Sequence, residues 1–291
     1  MKQAILITAY DSFDQLNLLL DQFDDYFNIY IHIDKKSDLE ELRLMELLKK
    51  KNVKYAGRDY TVNWGGVNHL KSYLKLAEIA MKDTENVYFH LITGKDFPIK
   101  GNKYFRNLVD GKSALGKDYM DHFRMPADCW KDGGMKRLEY YNFYDLFNAK
   151  KSDKWIWRFI RLQEILKIKR KIKANMGELF GGSTYWSLSR NTLDYVLSYT
   201  AQNPNFLKRF KHTFCAEEIY FQTIIMNSPY AENVINNNKR FIDWESGKGG
   251  YPAFLDEQDF NAIVESDSLF ARKIDMTNST LVHLLQKHKN N

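Results

Sequence analysis

Four short apolar runs alternate with helix-spaced segments over the first hundred residues, and this alternation restricts the fold more than any other feature. Ala4–Tyr10 is β-branched and apolar on both faces, as a fully buried strand requires. Leucines at 16, 19 and 20 with Phe23 give Asp11 to Phe27 helical spacing, with Asp11 or Ser12 as the cap. A second strand, Ile29 to Asp34, ends on an acid, and a helix from Leu39 to Lys50 leads to a third strand at Val53–Tyr55. Gly65-Gly66 breaks the pattern before a helix over Asn68–Met81, and Tyr88–Thr93 is the fourth strand. Strand–helix alternation of this length builds βαβ units and a mainly parallel sheet. Ligands bind such sheets beyond the carboxyl ends of the strands. Tyr10, Asp34 and the turn from Thr93 to Asp96 occupy those ends.

The pattern excludes several functions. No G-x-G-x-x-G or Walker pattern follows the first strand, and no Asp-x-Asp pair ends one. Histidines at 32, 69, 90, 122, 212, 283 and 288 lack metal-ligand spacing. These observations predict a protein without a metal or other cofactor. Cys129 and Cys215 are too few for a disulfide framework, and the apolar run at the N-terminus is too short for a signal peptide. A cytoplasmic protein is expected, as a single domain over 1–291 with halves at 1–110 and 111–291.

In the second half, Gly111 to Asn148 is poor in pattern; Asp121, Arg124, Trp130, Arg137 and Tyr140 suit either a loop that meets a polar ligand or ordinary surface. Trp155 to Ala174 reads as an amphipathic helix, with Trp155, Phe159, Leu162 and Leu166 at helical spacing. Residues 150–173 hold ten Lys/Arg against two acids, an excess of eight in a chain of net charge +6. A solvated charged face, a patch for an anionic membrane surface and a nucleic-acid site compete, and the lack of any nucleic-acid motif places the last behind the others. Peripheral attachment to the inner face of the cell membrane fits the second reading.

The stretch Gly181–Met226 contains a hydroxyl-rich strand over 181–188 and a helix from Ile219 whose first turn holds Glu217 and Glu218. Acids at a helix start suit the backbone dipole; they also suit a general base. Periodicity does not separate Glu217 from Glu218. Beyond them, Arg240–Trp244 reads as a strand, Gly247–Pro252 as a flexible loop, Asp259–Ser266 as a helix, and Leu269–Ile274 ends in paired cations.

Seven pieces in order carry a resemblance. They are Ile31-His32-Ile33-Asp34-Lys35-Lys36-Ser37, Asn63-Trp64-Gly65-Gly66, the stretch from Leu91 through Asp96-Phe97-Pro98-Ile99-Lys100, Phe123-Arg124-Met125-Pro126, Gly182-Ser183-Thr184-Tyr185-Trp186, Ala216-Glu217-Glu218, and Leu269-Phe270-Ala271-Arg272-Lys273-Ile274-Asp275. The chain resembles the core-2/I-branching β-1,6-N-acetylglucosaminyltransferases and the related peptide O-xylosyltransferases, as a bacterial-type member. The resemblance implies a GT-A-like α/β fold without an Asp-x-Asp metal motif, and inverting transfer from a UDP-sugar to a glycan or lipid-linked glycan, in cell-surface polysaccharide synthesis. It puts the general base on Glu218, a diphosphate cation on Lys273 and a uridine contact on Asp34. Trp244 and Asp121 fall on the acceptor side. No Arg stands at Gly249–Tyr251, where the family's second diphosphate cation is expected, so Lys248 or Arg272 substitutes. Tyr10 joins the donor side, and Asp96, Arg124 and Glu217 the acceptor side. The alternative is a non-catalytic carbohydrate-binding module that stacks sugars on Trp130, Trp186 and Trp244.

Overall fold

A computed structural model describes the chain except residues 11, 111–116, 148, 173–175, 276–278 and 291, and the side chains of 110, 150–153 and 290. Its strands are β1 Lys2–Ala9, β2 Phe27–Ile33, β3 Val53–Gly57, β4 Asn86–Thr93, β5 Phe97–Pro98, β6 Asp118–Met120, β7 Phe123–Arg124, β8 Phe180–Gly181, β9 Trp186–Ser189, β10 Val234–Ile235, β11 Arg240–Ile242 and β12 Phe270–Arg272. A seven-stranded sheet runs β10-β6-β9-β4-β1-β2-β3, with β11-β12-β5 and β7-β8 as smaller sheets. β1 pairs in parallel with β2 and β4, with Ile5 opposite Ile29 and His90, whereas β9 runs antiparallel to β4 and β6. The mainly parallel α/β sheet predicted from the sequence is the one observed.

The predicted alternation places the helices correctly for a physical reason. Ala4 and Leu6 point to one face of β1 and Ile5 and Ile7 to the other, so both faces need cover. Leu16 and Leu19 of the helix Phe13–Leu20 and Leu44 and Leu47 of Glu41–Leu48 cover one face. Leu70, Tyr73 and Ala77 of Val67–Met81 cover the other. Successive strands β1, β2 and β3 step outward, and β4 returns to the far side of β1. The crevice between the carboxyl ends of β1 and β4 is therefore the switch point of the sheet.

Three expectations change. The first helix stops at Leu20, because the Asp24 carboxylate takes the Tyr26 N–H in a turn before β2. The strand expected over 181–188 is split into β8 and β9, since the Gly182 N–H turns to the Glu218 carbonyl (2.9 Å). The basic helix spans Ala149–Ile165, and Lys167 takes a left-handed conformation (φ 54°) while the Ile168 N–H reaches back to the Gln163 carbonyl (2.9 Å). That pattern terminates a helix. Its buried face is also one residue out of phase with the stripe read from the sequence: Ile156, Ile160 and Gln163 are buried, and Trp155, Leu162 and Leu166 are exposed. Residues 173–174 of the expected helix lie outside the described residues.

Candidate active site

Glu217 and Glu218 stand on a single 3₁₀ turn, Ala216–Glu218, entered through left-handed Cys215 (φ 48°) and followed by a separate helix, Tyr220–Met226. The expected first-turn position is thus corrected: contacts from other elements set these acids, not the helix start. The Cys215 N–H donates to the Gly65 carbonyl, which ties the turn to the Asn63–Gly66 corner. Gly65 has φ +80°, and a side chain there would meet the Phe214 ring. Behind Glu218, Gly182 fits only as glycine, since a Cβ would lie 1.9 Å from the Asp121 carbonyl oxygen.

The two neighbouring acids have opposite surroundings. Glu217 is 3% exposed, and its Oε1 accepts from His69 Nδ1 at 3.0 Å. His69 Nε2 in turn meets the Tyr73 hydroxyl at 2.8 Å, and the Thr184 hydroxyl donates to Tyr73 at 3.2 Å. With Glu217 accepting, the chain runs in one direction, Thr184 to Tyr73 to His69 to Glu217. Burial raises the Tyr73 pKa well above its ordinary value, so the hydroxyl keeps its proton. Glu217 faces this internal chain, and its assignment to the acceptor side is corrected on that ground.

Glu218 faces the other way, with 29% of its side chain accessible. Its Oε2 accepts from Arg137 Nη1 at 2.5 Å, and the Arg137 guanidinium lies 3.6 Å from the Trp130 ring centroid. Burial pushes the Glu218 pKa up, Arg137 pulls it down, and the adjacent Glu217 charge pushes it up again. A reachable carboxylate with an upward-shifted pKa has the attributes of a general base.

At the strand ends, Asp34 closes β2. Its Oδ1 accepts the N–H groups of Lys36 (2.9 Å) and Val62 (3.2 Å), and Lys36 Nζ lies 3.6 Å from Oδ2. Lys36 Nζ also donates to Asn63 Oδ1 (2.8 Å) and sits 5.9 Å from the centroid of the exposed Tyr10 ring. Tyr10, Asp34 and the Asn63–Gly66 corner are thereby joined into one rim that runs on to Glu218. Beyond Asp34, a concavity of about 510 Å³ is lined by Lys35, Glu41, Leu44, Ala56, Gly57 and Arg58.

Across the switch point the structure corrects Asp96. It is fully buried, and its Oδ2 accepts from the Thr93 N–H and hydroxyl (2.6 Å each) and from Arg272 Nη1 (3.3 Å). With no exposed surface, the carboxylate is closed off from an acceptor sugar in this structure. Arg272 is correspondingly turned inward, bonded to the Tyr185 hydroxyl as well as to Asp96, so it does not substitute for the missing arginine. Its charge, with those of Glu217 and Glu218, still reaches the Tyr73 hydroxyl. Lys273 follows directly after β12. Its ammonium stands 5.5 Å from the Phe254 centroid and 3.7 Å from where a Cβ on Gly250 would lie, against the loop where the second cation was expected. Lys248 is corrected in the same sense, for its ammonium is shared between Asp256 (3.3 Å) and Asp259 (3.5 Å).

Of the remaining assigned residues, both Asp121 oxygens are taken by the Asn238 backbone and amide N–H groups (2.9 and 2.6 Å). Arg124 is exposed and pairs with Glu178 (2.5 Å). Trp244 is exposed beside Tyr251, with ring centroids 5.0 Å apart. Trp186 is fully buried and Trp130 is covered by Arg137, so neither offers a sugar-stacking face. The sequence assigns no site role to His69, Tyr73, Tyr185 or Arg137; Arg137 carries a signal as one polar residue among several in the weakly patterned 111–148 region, and Tyr185 one as part of the Gly182–Trp186 piece. Among the described residues no group of three or more His, Cys, Asp or Glu side chains could hold a metal ion.

A mainly parallel α/β sheet flanked by helices, with its switch point between β1 and β4, is an architecture of the GT-A-like class. The chain matches the Core-2/I-Branching enzyme family over residues 4–264 and belongs to that glycosyltransferase family. It is 27% identical over 227 residues to Xylosyltransferase oxt of Drosophila pseudoobscura pseudoobscura, covering 76% of this chain and 23% of that protein. It is 26% identical over 283 residues to Xylosyltransferase 2 of Canis lupus familiaris, covering 89% and 30%. The chain thus spans less than a third of the length of these curated relatives. Among solved structures, mouse Xyloside xylosyltransferase 1 in its apo form aligns over 96% of this chain and 99% of that chain, at 11% identity and a TM-score of 0.38.

Proposed function

We propose that this protein transfers a sugar, xylose or N-acetylglucosamine, from a UDP-sugar to a hydroxyl of a glycan acceptor with inversion, as in assembly of a cell-surface polysaccharide. The observation that carries the reading is the divergence of the two acids: Glu217 is internal, and Glu218 is reachable at the rim. The acceptor oxygen bonds to the anomeric carbon as the bond from that carbon to the diphosphate oxygen breaks. The hydroxyl proton passes to Glu218, and the electron pair of the broken bond leaves with UDP. One carboxyl group suffices, because the diphosphate leaves without protonation by a second acid, unlike the sugar leaving group of a glycoside hydrolase.

Charge building on the diphosphate needs a cationic partner. Lys273, beside the Gly247–Pro252 loop, is the cation we assign to it. Arg272 acts from behind, holding Asp96 and Tyr185. This assignment makes the reaction independent of a metal ion. Asp34 and Tyr10 receive the nucleoside, and Trp244 offers the exposed ring on which an acceptor sugar stacks.

The test is UDP release from a panel of UDP-sugars with glycan acceptors, with and without EDTA. Turnover of UDP-xylose or UDP-N-acetylglucosamine, unchanged by EDTA, supports the assignment. Activity lost to EDTA and restored by Mn²⁺ removes the metal-independent part. Sugar binding without turnover of any donor favours the binding-module alternative.

A further inference from the structure

The segment from the helix Ala149–Ile165 to Lys171 is uncommitted to the reaction, and its outer face is unusual. Ile156, Ile160 and Gln163 pack inward against Tyr140 and Tyr144 or bond to Tyr141. The opposite side exposes Trp155, Leu162, Ile165, Leu166 and Ile168, each at least 44% accessible. Arg158 lies among them, 4.9 Å from the Trp155 centroid, and Arg161, Lys167 and Lys171 are exposed alongside. Glu164, the acid of this segment among the described side chains, pairs with Lys136. Lys169 and Arg170 are used structurally, on Glu139 and on the Tyr140 and Arg209 carbonyls.

We propose that this face is a docking surface for an anionic lipid bilayer. Large apolar side chains interleaved with cations on one side of a helix suit the boundary between headgroups and acyl chains. Trp155 is of the residue type that settles at that boundary, and Arg158 and Arg161 keep their charges among the headgroups while their stems lie along the apolar strip. Charge complementarity selects the occupant, since among the described residues Arg158, Arg161, Lys167 and Lys171 are exposed and none of them pairs with an acid. A solvated charged helix would not expose five large apolar side chains here, and a nucleic-acid surface would not place aliphatic ones between its cations.

The position of the face relates it to the site. Tyr144, beneath the helix, stacks on Phe214 at 4.6 Å, and Phe214 leads directly into the Cys215–Glu218 turn. The helix is thus packed, through Tyr144 and Phe214, against the turn that carries the reachable acid. Delivery of a lipid-linked acceptor along this route rests on the transferase reading; docking itself does not.

The experiment is co-sedimentation of the full chain with phosphatidylcholine vesicles and with vesicles containing phosphatidylglycerol. Partition into the anionic vesicles is expected to exceed that into neutral ones by at least tenfold and to fall as salt is raised. Arg158→Gln with Arg161→Gln should weaken anionic partition roughly 10–30-fold, at about fivefold per cation. Trp155→Ser with Leu162→Ser should weaken it while leaving thermal unfolding unchanged, because both side chains are exposed. Equal partition into both vesicle types overturns the proposal. So does a concentration-dependent dimer, by sedimentation equilibrium, that these variants dissolve without any vesicle binding, or salt-sensitive binding to RNA in place of vesicles.

Discussion

Arg137 Nη1 donates to Glu218 Oε2 at 2.5 Å, joining residues 81 positions apart. Burial raises the Glu218 pKa and Arg137 lowers it, so the side chain best placed to act as a base is held between two opposing influences. A general base works in its ionised form. Removing this cation takes away the larger of the lowering influences and leaves only His69 against burial and the Glu217 charge, so the pKa rises further. The acidic limb of the rate profile for Arg137→Gln should therefore move to higher pH, with activity lost first on the acid side. An unmoved limb, or one moved to lower pH, would show that Arg137 does not govern the titrating group.

Asp96 and Arg272, by contrast, make an internal pair, with side chains 0% and 10% accessible. Removing one member of a buried pair strands the other charge, at a cost of roughly 3–5 kcal/mol. Urea unfolding of Asp96→Ala should show a loss in that range. A loss below about 1 kcal/mol would contradict the pairing, since exposed ion pairs are worth no more than that.

Gly182 is held between two backbones, its N–H on the Glu218 carbonyl and its α-carbon against the Asp121 carbonyl. Backbone gives way less readily than a side chain, so Gly182→Ala should displace the Glu218 turn and destabilise the fold by about 1–3 kcal/mol. Transfer should fall at least tenfold while UDP-sugar affinity, which the proposed function assigns to Tyr10, Asp34 and Lys273, is kept. Equal loss of both, measured by titration calorimetry alongside the transfer assay, would mean the turn and the donor site are not separable.

The sheet was legible because a strand buried on both faces must be apolar on both, and β1, β2 and β4 are. Strand ends and glycine corners leave local signals too, so Tyr10, Asp34 and the Asn63–Gly66 corner could be named from the sequence. Partners brought together by folding leave none: His69 meets Glu217 across 148 residues, and Arg272 reaches Asp96 across 176. Asp96 therefore read as a strand-end acid, although Thr93 and Arg272 occupy it. The basic helix shows a related limit. Its sequence has two adjacent apolar stripes, and Tyr140 and Tyr144, from another segment, decide which one is buried. Glu217 and Glu218 differ only in what surrounds them, so periodicity gave them equal standing and the folded chain does not.

The most direct measurement is UDP-sugar transfer by Glu218→Gln beside binding of the same donor. The substitution keeps the shape and removes the base. Transfer should drop by roughly 10²-fold or more, the span that general-base catalysis supplies, while the donor Kd changes by less than about threefold. Transfer near the wild-type rate in Glu218→Gln would contradict the assignment of Glu218 as the general base.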